Sequence, residues 1–190
     1  MDFKLRGKAA LVTGSSRGIG LATAKAFAAE GCRVMLSARS TGQLGEAETA
    51  LRATGAEVAA YAADVGSPDD AARLIKATVA AYGGIDILVN NVGGARVADS
   101  SDDDWRSALE QNLIQTVRMM RLALPRMKER PGAAVINVAS ISGWSPQLAM
   151  SRPRAESPGR SRAHNSRRQA AQRRQRRYPT TRRRQLCDVR

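Results

Sequence analysis

The sequence predicts an α/β fold, a doubly wound parallel sheet of about five strands, followed by an arginine-rich tail. Two observations carry the fold. Short apolar runs alternate with helical patterns from residue 5 to residue 138, and each cluster of glycine, asparagine or serine follows one of those runs. A third observation bounds it. The net charge is +14 over 190 residues, but residues 1–150 hold 17 Lys plus Arg against 15 Asp plus Glu, whereas residues 151–190 hold 14 against 2. The first stretch is therefore nearly balanced at +2 and the second carries +12. All 14 basic residues of the second stretch are arginine, and its large apolar residues shrink to Tyr178, Leu186 and Val189, too few for a buried strand or an amphipathic helix. The expected organisation is one α/β domain over 1–150 and a disordered, low-complexity tail over 151–190.

The elements follow in order. Leu5 to Thr13 reads as a buried strand and Gly18 to Glu30 as the helix after it, ended by Gly31-Cys32. Arg33 to Ala38 is a second strand with Arg39 at its end. Leu44, Ala47 and Leu51 give residues 41–54 helical spacing, which Gly55 stops. Glu57 to Ala63 is a third strand ending at Asp64-Val65. Ser67-Pro68-Asp69-Asp70 supplies an N-cap, a first-turn proline and acids for a helix running to Gly83-Gly84. Ile85 to Val89 is a fourth strand, closed by Asn90-Asn91-Val92-Gly93-Gly94. Ser101 and three aspartates open a long helix through Trp105, Leu109, Leu113, Val117, Met120 and Leu124, with a kink expected at Pro125. Ala133 to Val138 is a fifth strand. Such alternation implies right-handed crossovers and a sheet covered on both faces, with ligands beyond the carboxyl ends of the strands.

The chemistry concentrates at Thr13-Gly14-Ser15-Ser16-Arg17-Gly18-Ile19-Gly20. A strand, a glycine-rich turn and a helix start make a phosphate cradle. Glycine lets the backbone turn tightly and approach a pyrophosphate, which the free N–H groups and the positive helix end then hold. The spacing is Gly-x3-Gly-x-Gly. Cys32 and Cys187 stand too far apart for a metal or disulfide framework, so no metal is expected. No signal peptide or apolar run of roughly 20 residues is visible, so a cytoplasmic location and no membrane partner are expected. His164, the only histidine, has no acidic neighbour at helical spacing and is given no role.

With Thr13-Gly14-x3-Gly18-Ile19-Gly20, Asp64, Asn90-Asn91-x-Gly93, Gln111-Asn112-Leu113 and Ser140 in view, the chain resembles the short-chain dehydrogenase/reductase family over residues 5 to about 150. The resemblance implies a Rossmann-like fold and NAD(P)-dependent hydride transfer between an alcohol and a carbonyl. It puts the cofactor on Gly14, Ser16, Arg17, Gly18, Ile19, Gly20 and Val65, with the adenine against Asp64 and the path to the nicotinamide ribose lined by Asn91 and Gly93. Val92 replaces the usual alanine and narrows that path. An acid at the end of the second strand would bind a ribose 2′-OH and repel a 2′-phosphate. Arg39 stands there instead, with Arg17 close by, and two guanidinium groups suit a 2′-phosphate, so NADP(H) is expected over NAD(H).

In the family a tyrosine moves the hydroxyl proton, a lysine four residues on lowers its pKa, a serine holds the substrate oxygen and an asparagine supports a relay water. Ser140 and Asn112 match the last two roles, with Ser142 as a weaker substitute for Ser140. The tyrosine is due about a dozen residues after the serine, where Ser151 to Pro158 contains neither tyrosine nor lysine. Tyr178 precedes Arg182 by four residues, but it lies 38 residues past Ser140 and is followed by Pro179. The chain is therefore expected to be inactive as written, and a change of reading frame near residue 150 of a guanine- and cytosine-rich gene accounts for the tail. The alternatives are a non-catalytic NADP(H)-binding pseudoenzyme, or a module whose arginine pairs bind nucleic acid. The family's dimer helices are expected to lie largely beyond the matched part, so no homo-oligomer is expected.

Overall fold

The computed structural model describes residues 3–94 and 101–140, all within one unit, Met1–Gln147. The expected tail, with Tyr178, and Ser142 lie outside the described residues. The elements are β1 (Ala9–Thr13), α1 (Gly18–Ala29), β2 (Arg33–Ala38), α2 (Thr41–Arg52), β3 (Val58–Ala62), α3 (Pro68–Tyr82), β4 (Ile87–Asn90), α4 (Asp102–Leu109), a π-helical turn (Glu110–Ile114), α5 (Gln115–Met127) and β5 (Ala134–Asn137). The strands form one parallel sheet in the order β3-β2-β1-β4-β5. The chain leaves β1 toward β2 on one side and returns to β4 on the other, so the connections diverge at the carboxyl ends of β1 and β4. Open α/β sheets bind ligands at such a divergence.

All five residues of β1 are buried, and the period of two sends them alternately to the two faces. Ala9 and Leu11, with Leu88, pack on Leu74 and Ile75 of α3 and on Met119 and Ala123 of α5. Ala10 and Val12, with Val34 and Leu36, pack on Ala24 of α1 and on Leu44, Ala47 and Leu51 of α2. Each fully buried leucine or valine contributes about 1.5–3 kcal/mol. The cap expected before α3 is present: Ser67 Oγ accepts the Asp70 N–H at 3.4 Å, Pro68 fills the first turn, and Gly83 ends the helix at φ +75°.

Three expectations are corrected. β1 starts at Ala9 and not Leu5, because a turn with Gly7 at φ +75° precedes it, and β4 starts at Ile87 and not Ile85. Of the apolar residues read along the long helix, Met120 packs against the core, whereas Trp105, Leu109, Leu113 and Leu124 are each about half exposed. The residues turned to the sheet are Ala108, Gln115, Met119, Ala123 and Met127, small or flexible side chains that let the helix lie close. The helix leaves α geometry at Glu110–Ile114, while Pro125 lies within α5.

At the amino ends of β1 and β4, opposite the divergence, the chain is held by one carboxylate. Asp86 is 4% exposed, accepts the Ala9 N–H at 2.7 Å, receives Arg130 Nε and Nη2 at 2.9 and 3.0 Å, and lies 3.8 Å from Lys8 Nζ. Burial alone would raise its pKa. The Arg130 hydrogen bonds, the Ala9 amide and the two positive charges outweigh burial and hold the carboxyl below its ordinary value. A group depressed in the folded state lends stability that is complete above the unfolded pKa and lost as pH falls through the folded one. Asp86→Asn is therefore expected to cost roughly 2–3 kcal/mol in urea unfolding at neutral pH. Its stability should also fall less steeply than the wild type's on acidification from about pH 5 to pH 3, and equal slopes would contradict this account.

Candidate functional site

The loops after β1, β3 and β4 meet at the carboxyl end of the sheet, and their hydrogen bonds run almost continuously from one to the next. Thr13, the last residue of β1 and 1% exposed, donates Oγ1–H to the Val89 carbonyl at 3.1 Å and accepts the Asn91 N–H at 3.0 Å. Asn91 returns the link: its Nδ2 donates to the carbonyls of Thr13 and Gly14 at 3.1 and 3.2 Å. On the other side Ser15, fully buried, donates its N–H to the Ser37 carbonyl at 3.0 Å and accepts the Ser37 N–H on Oγ at 2.8 Å. Ser15 thus extends the β1–β2 pairing through its side chain and fixes where the glycine turn begins. Its neighbour Ser16, expected among the cofactor-binding residues, is half-buried beside it.

The turn delivers the chain to α1 with little between the helix start and solvent. Gly18 adopts φ +57°, and a Cβ there would meet nothing within 4 Å. Gly20 is different: a Cβ would collide with the Gly14 carbonyl oxygen and sit 2.6 Å from Asn91 Nδ2, so only glycine lets α1 approach the turn. Arg17 occupies the N-cap position in an extended conformation with no side-chain cap, and the first turn carries no acid. α3 and α4, by contrast, begin with a serine cap and two or three aspartates. The first-turn amides and positive end of α1 are therefore left for an external anion. Ile19, 66% exposed, lies in the same turn, and Arg17 and Arg39 are both exposed, without an ion pair among the described residues. The donor set fits a dinucleotide's phosphates, and a Cβ at residue 20 would disturb the turn that holds these donors in place.

Beyond β4 the chain is tied to the long helix. Asn112 donates Nδ2–H to the Ala108 carbonyl at 2.8 Å and accepts the Gly94 N–H on Oδ1 at 2.9 Å. A Cβ on Gly93 would come within 2.9 Å of that same oxygen. Gln115, 4% exposed, donates from Nε2 to the Val92 carbonyl at 3.0 Å and to the Gln111 carbonyl. In the π turn the Gln115 N–H reaches the Glu110 carbonyl, one residue further back than in an α-helix. Side chains of Asn112 and Gln115 thus satisfy carbonyls in and just before the widened turn and clamp the loop after β4. Val92 packs its Cγ2 over Gly14, 3.1 Å from where a Cβ would stand.

Asp64, exposed at the end of β3, accepts the Gly66 N–H on Oδ1 at 3.0 Å. Val65 points the other way: its side chain is buried in the core at 5% exposure, so only its backbone is available to a ligand. Ser140 lies exposed just past β5, at the same end of the sheet. A cavity of about 730 Å³ opens elsewhere, lined by Arg6, Lys25, Cys32 and Glu57 among others, and contains none of the motif residues. Among the described residues no group of three His, Cys, Asp or Glu is placed to hold a metal, and no helix is long and apolar enough to cross a membrane.

A family model described as short chain dehydrogenase matches residues 8–152. The chain belongs to the short-chain dehydrogenase family. D-beta-hydroxybutyrate dehydrogenase of Cupriavidus necator is 38% identical over 142 residues, 73% of this chain and 55% of the relative. L-sorbose reductase of Gluconobacter frateurii, solved with NADPH and L-sorbose, is 38% identical with a TM-score of 0.75, over 78% of this chain and 58% of its own. A 7 alpha-hydroxysteroid dehydrogenase solved with NADH and a 7-oxo bile acid is 28% identical, with a TM-score of 0.73 over 77% and 58%. The chain thus spans a little over half the length of these short-chain dehydrogenases.

Gly20→Ala is expected to destabilise the protein by about 1–3 kcal/mol, because the new methyl overpacks the turn. Gly45→Ala, inside α2 where a Cβ meets nothing within 4 Å, should stabilise it by about 1 kcal/mol. Denaturant unfolding of the pair measures both, and equal shifts would refute the close approach at Gly20.

Proposed function

We propose that the chain binds NADP(H) at the α1 start and that it does not carry out the family's hydride transfer as written. The observation that carries the first half is the uncapped, acid-free N-terminus of α1 flanked by Arg17 and Arg39. Bound there, the cofactor would supply the hydride donor or acceptor for an alcohol–carbonyl pair. Family members are solved with NADPH and with NADH, so the preference must come from this chain's own side chains. Arg39 ends β2 where an acid would favour NAD(H). Its guanidinium and that of Arg17 suit the extra phosphate, with charge-assisted and often bidentate hydrogen bonds.

The second half rests on the proton. A free tyrosine ionises near pH 10 and needs a nearby cation to act as a base at neutrality. The described tyrosines offer no substitute. Tyr82 is 6% exposed, donates to the Val34 carbonyl at 2.9 Å near the amino end of β2, and is pushed up to about 12 by burial and by the Glu57 charge. Tyr61 lies within β3. Asn112 and Ser140 remain at the right end of the sheet, but the Asn112 side chain is engaged at both ends. Loss of general acid–base catalysis alone typically costs a factor of about 100 to 10,000. The family match ends at residue 152, two residues past the change in composition, which supports a shift of reading frame there. The coding DNA tests this: an alternative frame after codon 150 should restore a Tyr-x3-Lys segment and apolar strands.

Titration of the purified chain should show NADPH binding roughly ten- to a hundredfold more tightly than NADH, with Arg39→Asp reversing the order. Equal affinities would refute the NADP(H) preference, and sustained NADPH oxidation with carbonyl substrates would refute the inactivity.

A further inference from the structure

Arg118, in α5, touches none of the glycine or asparagine motifs, yet it reaches the adenine side of the site. Its side chain is 18% exposed. Nη1 donates to the carbonyls of Val65 and Gly66 at 3.2 and 2.9 Å, and Nη2 donates to Glu110 Oε1 at 2.7 Å. Glu110 opens the π turn and Arg118 lies beyond it, so the pair spans the irregular part of the helix while the guanidinium grips the loop after β3. In a trans peptide the C=O and N–H point in opposite directions. Holding the Val65 and Gly66 carbonyls toward α5 therefore turns the Gly66 and Ser67 N–H groups the other way, and both land on Asp64. Gly66 N–H donates to Oδ1 at 3.0 Å and Ser67 N–H donates to the Asp64 carbonyl at 2.9 Å. With Oδ1 engaged, Oδ2 is the oxygen the exposed carboxylate can present to an amino group.

We infer that Arg118 is a positioning residue: by orienting two peptide planes it aims the Asp64 carboxylate at the exocyclic amine of the cofactor's adenine. This rests on the NADP(H) reading and deepens it, assigning base recognition to a residue of α5 that acts through the loop after β3. Loss of Arg118 should loosen base recognition while leaving the phosphate-binding turn, which it does not touch.

The test compares NADPH with its hypoxanthine analogue, which keeps the phosphates, riboses and nicotinamide and replaces the amine by a carbonyl. The wild-type chain should bind NADPH roughly tenfold more tightly, the worth of one hydrogen bond to a charged group. Arg118→Met should bring the ratio to within about twofold of unity, chiefly by weakening NADPH. Arg118→Lys, a point charge on a flexible stem, should restore part of it. Glu110→Gln, which leaves an acceptor but removes the negative charge that holds the guanidinium, should give an intermediate ratio and decides the matter if Arg118→Met does not fold. An unchanged ratio in a folded Arg118→Met or in Glu110→Gln overturns the inference, and so does a wild-type chain that binds both dinucleotides equally. A wild-type chain that binds neither overturns the NADP(H) reading itself, and this inference with it.

Discussion

The exchange between Thr13 and Asn91 is the constraint on which the site depends. Two neighbouring parallel strands, β1 and β4, end side by side, and the ladder alone would leave their last peptide groups unpaired. The Thr13 hydroxyl answers one carbonyl and one amide of β4 and the residue after it, and the Asn91 amide answers two carbonyls of β1 and the glycine turn. A buried hydroxyl and a carboxamide thus continue the sheet by one step past its last backbone pair. The glycine turn then starts from a defined point, and α1 can come close enough that residue 20 has no room for a side chain.

The long helix completes the frame through an irregularity. A π turn widens the helix and leaves carbonyls that the regular pattern would have paired. Asn112 and Gln115 take up two such carbonyls and spend their remaining capacity on the loop after β4. Arg118 and Glu110 bracket the same turn and reach the loop after β3. Three loops from distant parts of the chain are therefore referred to one helix and one strand pair, and rigid support of that kind is what precise ligand geometry requires.

Much of this was legible in the residues. Strands announced themselves as apolar runs because a parallel sheet buries both faces, and Ser67-Pro68 marked a helix start by a local hydrogen bond that needs no tertiary partner. The glycine motif was legible as a turn between a strand and a helix, and it joins β1 to α1. The face of the long helix was not, because Trp105, Leu109 and Leu113 form a better apolar stripe than the alanines and methionines that meet the sheet. Ser15, Gln115 and Arg118 were passed over for a related reason. Each is a polar residue whose partners, Ser37, Val92 and Val65, lie 22, 23 and 53 positions away, and no pattern within a window of ten reveals such a bond. The signal that could have been used for Gln115 is its place one turn beyond Asn112.

The anchor at Asp86 stands at the opposite end of the strands from every motif residue. It ties β1, β4 and the segment before β5 through a buried carboxylate. Tenacity and the candidate site are thereby lodged at opposite ends of the same strands. A lineage built on this plan can rewrite its upper loops, exchange one nucleotide for another or abandon chemistry altogether, and its descendants still inherit the same scaffold.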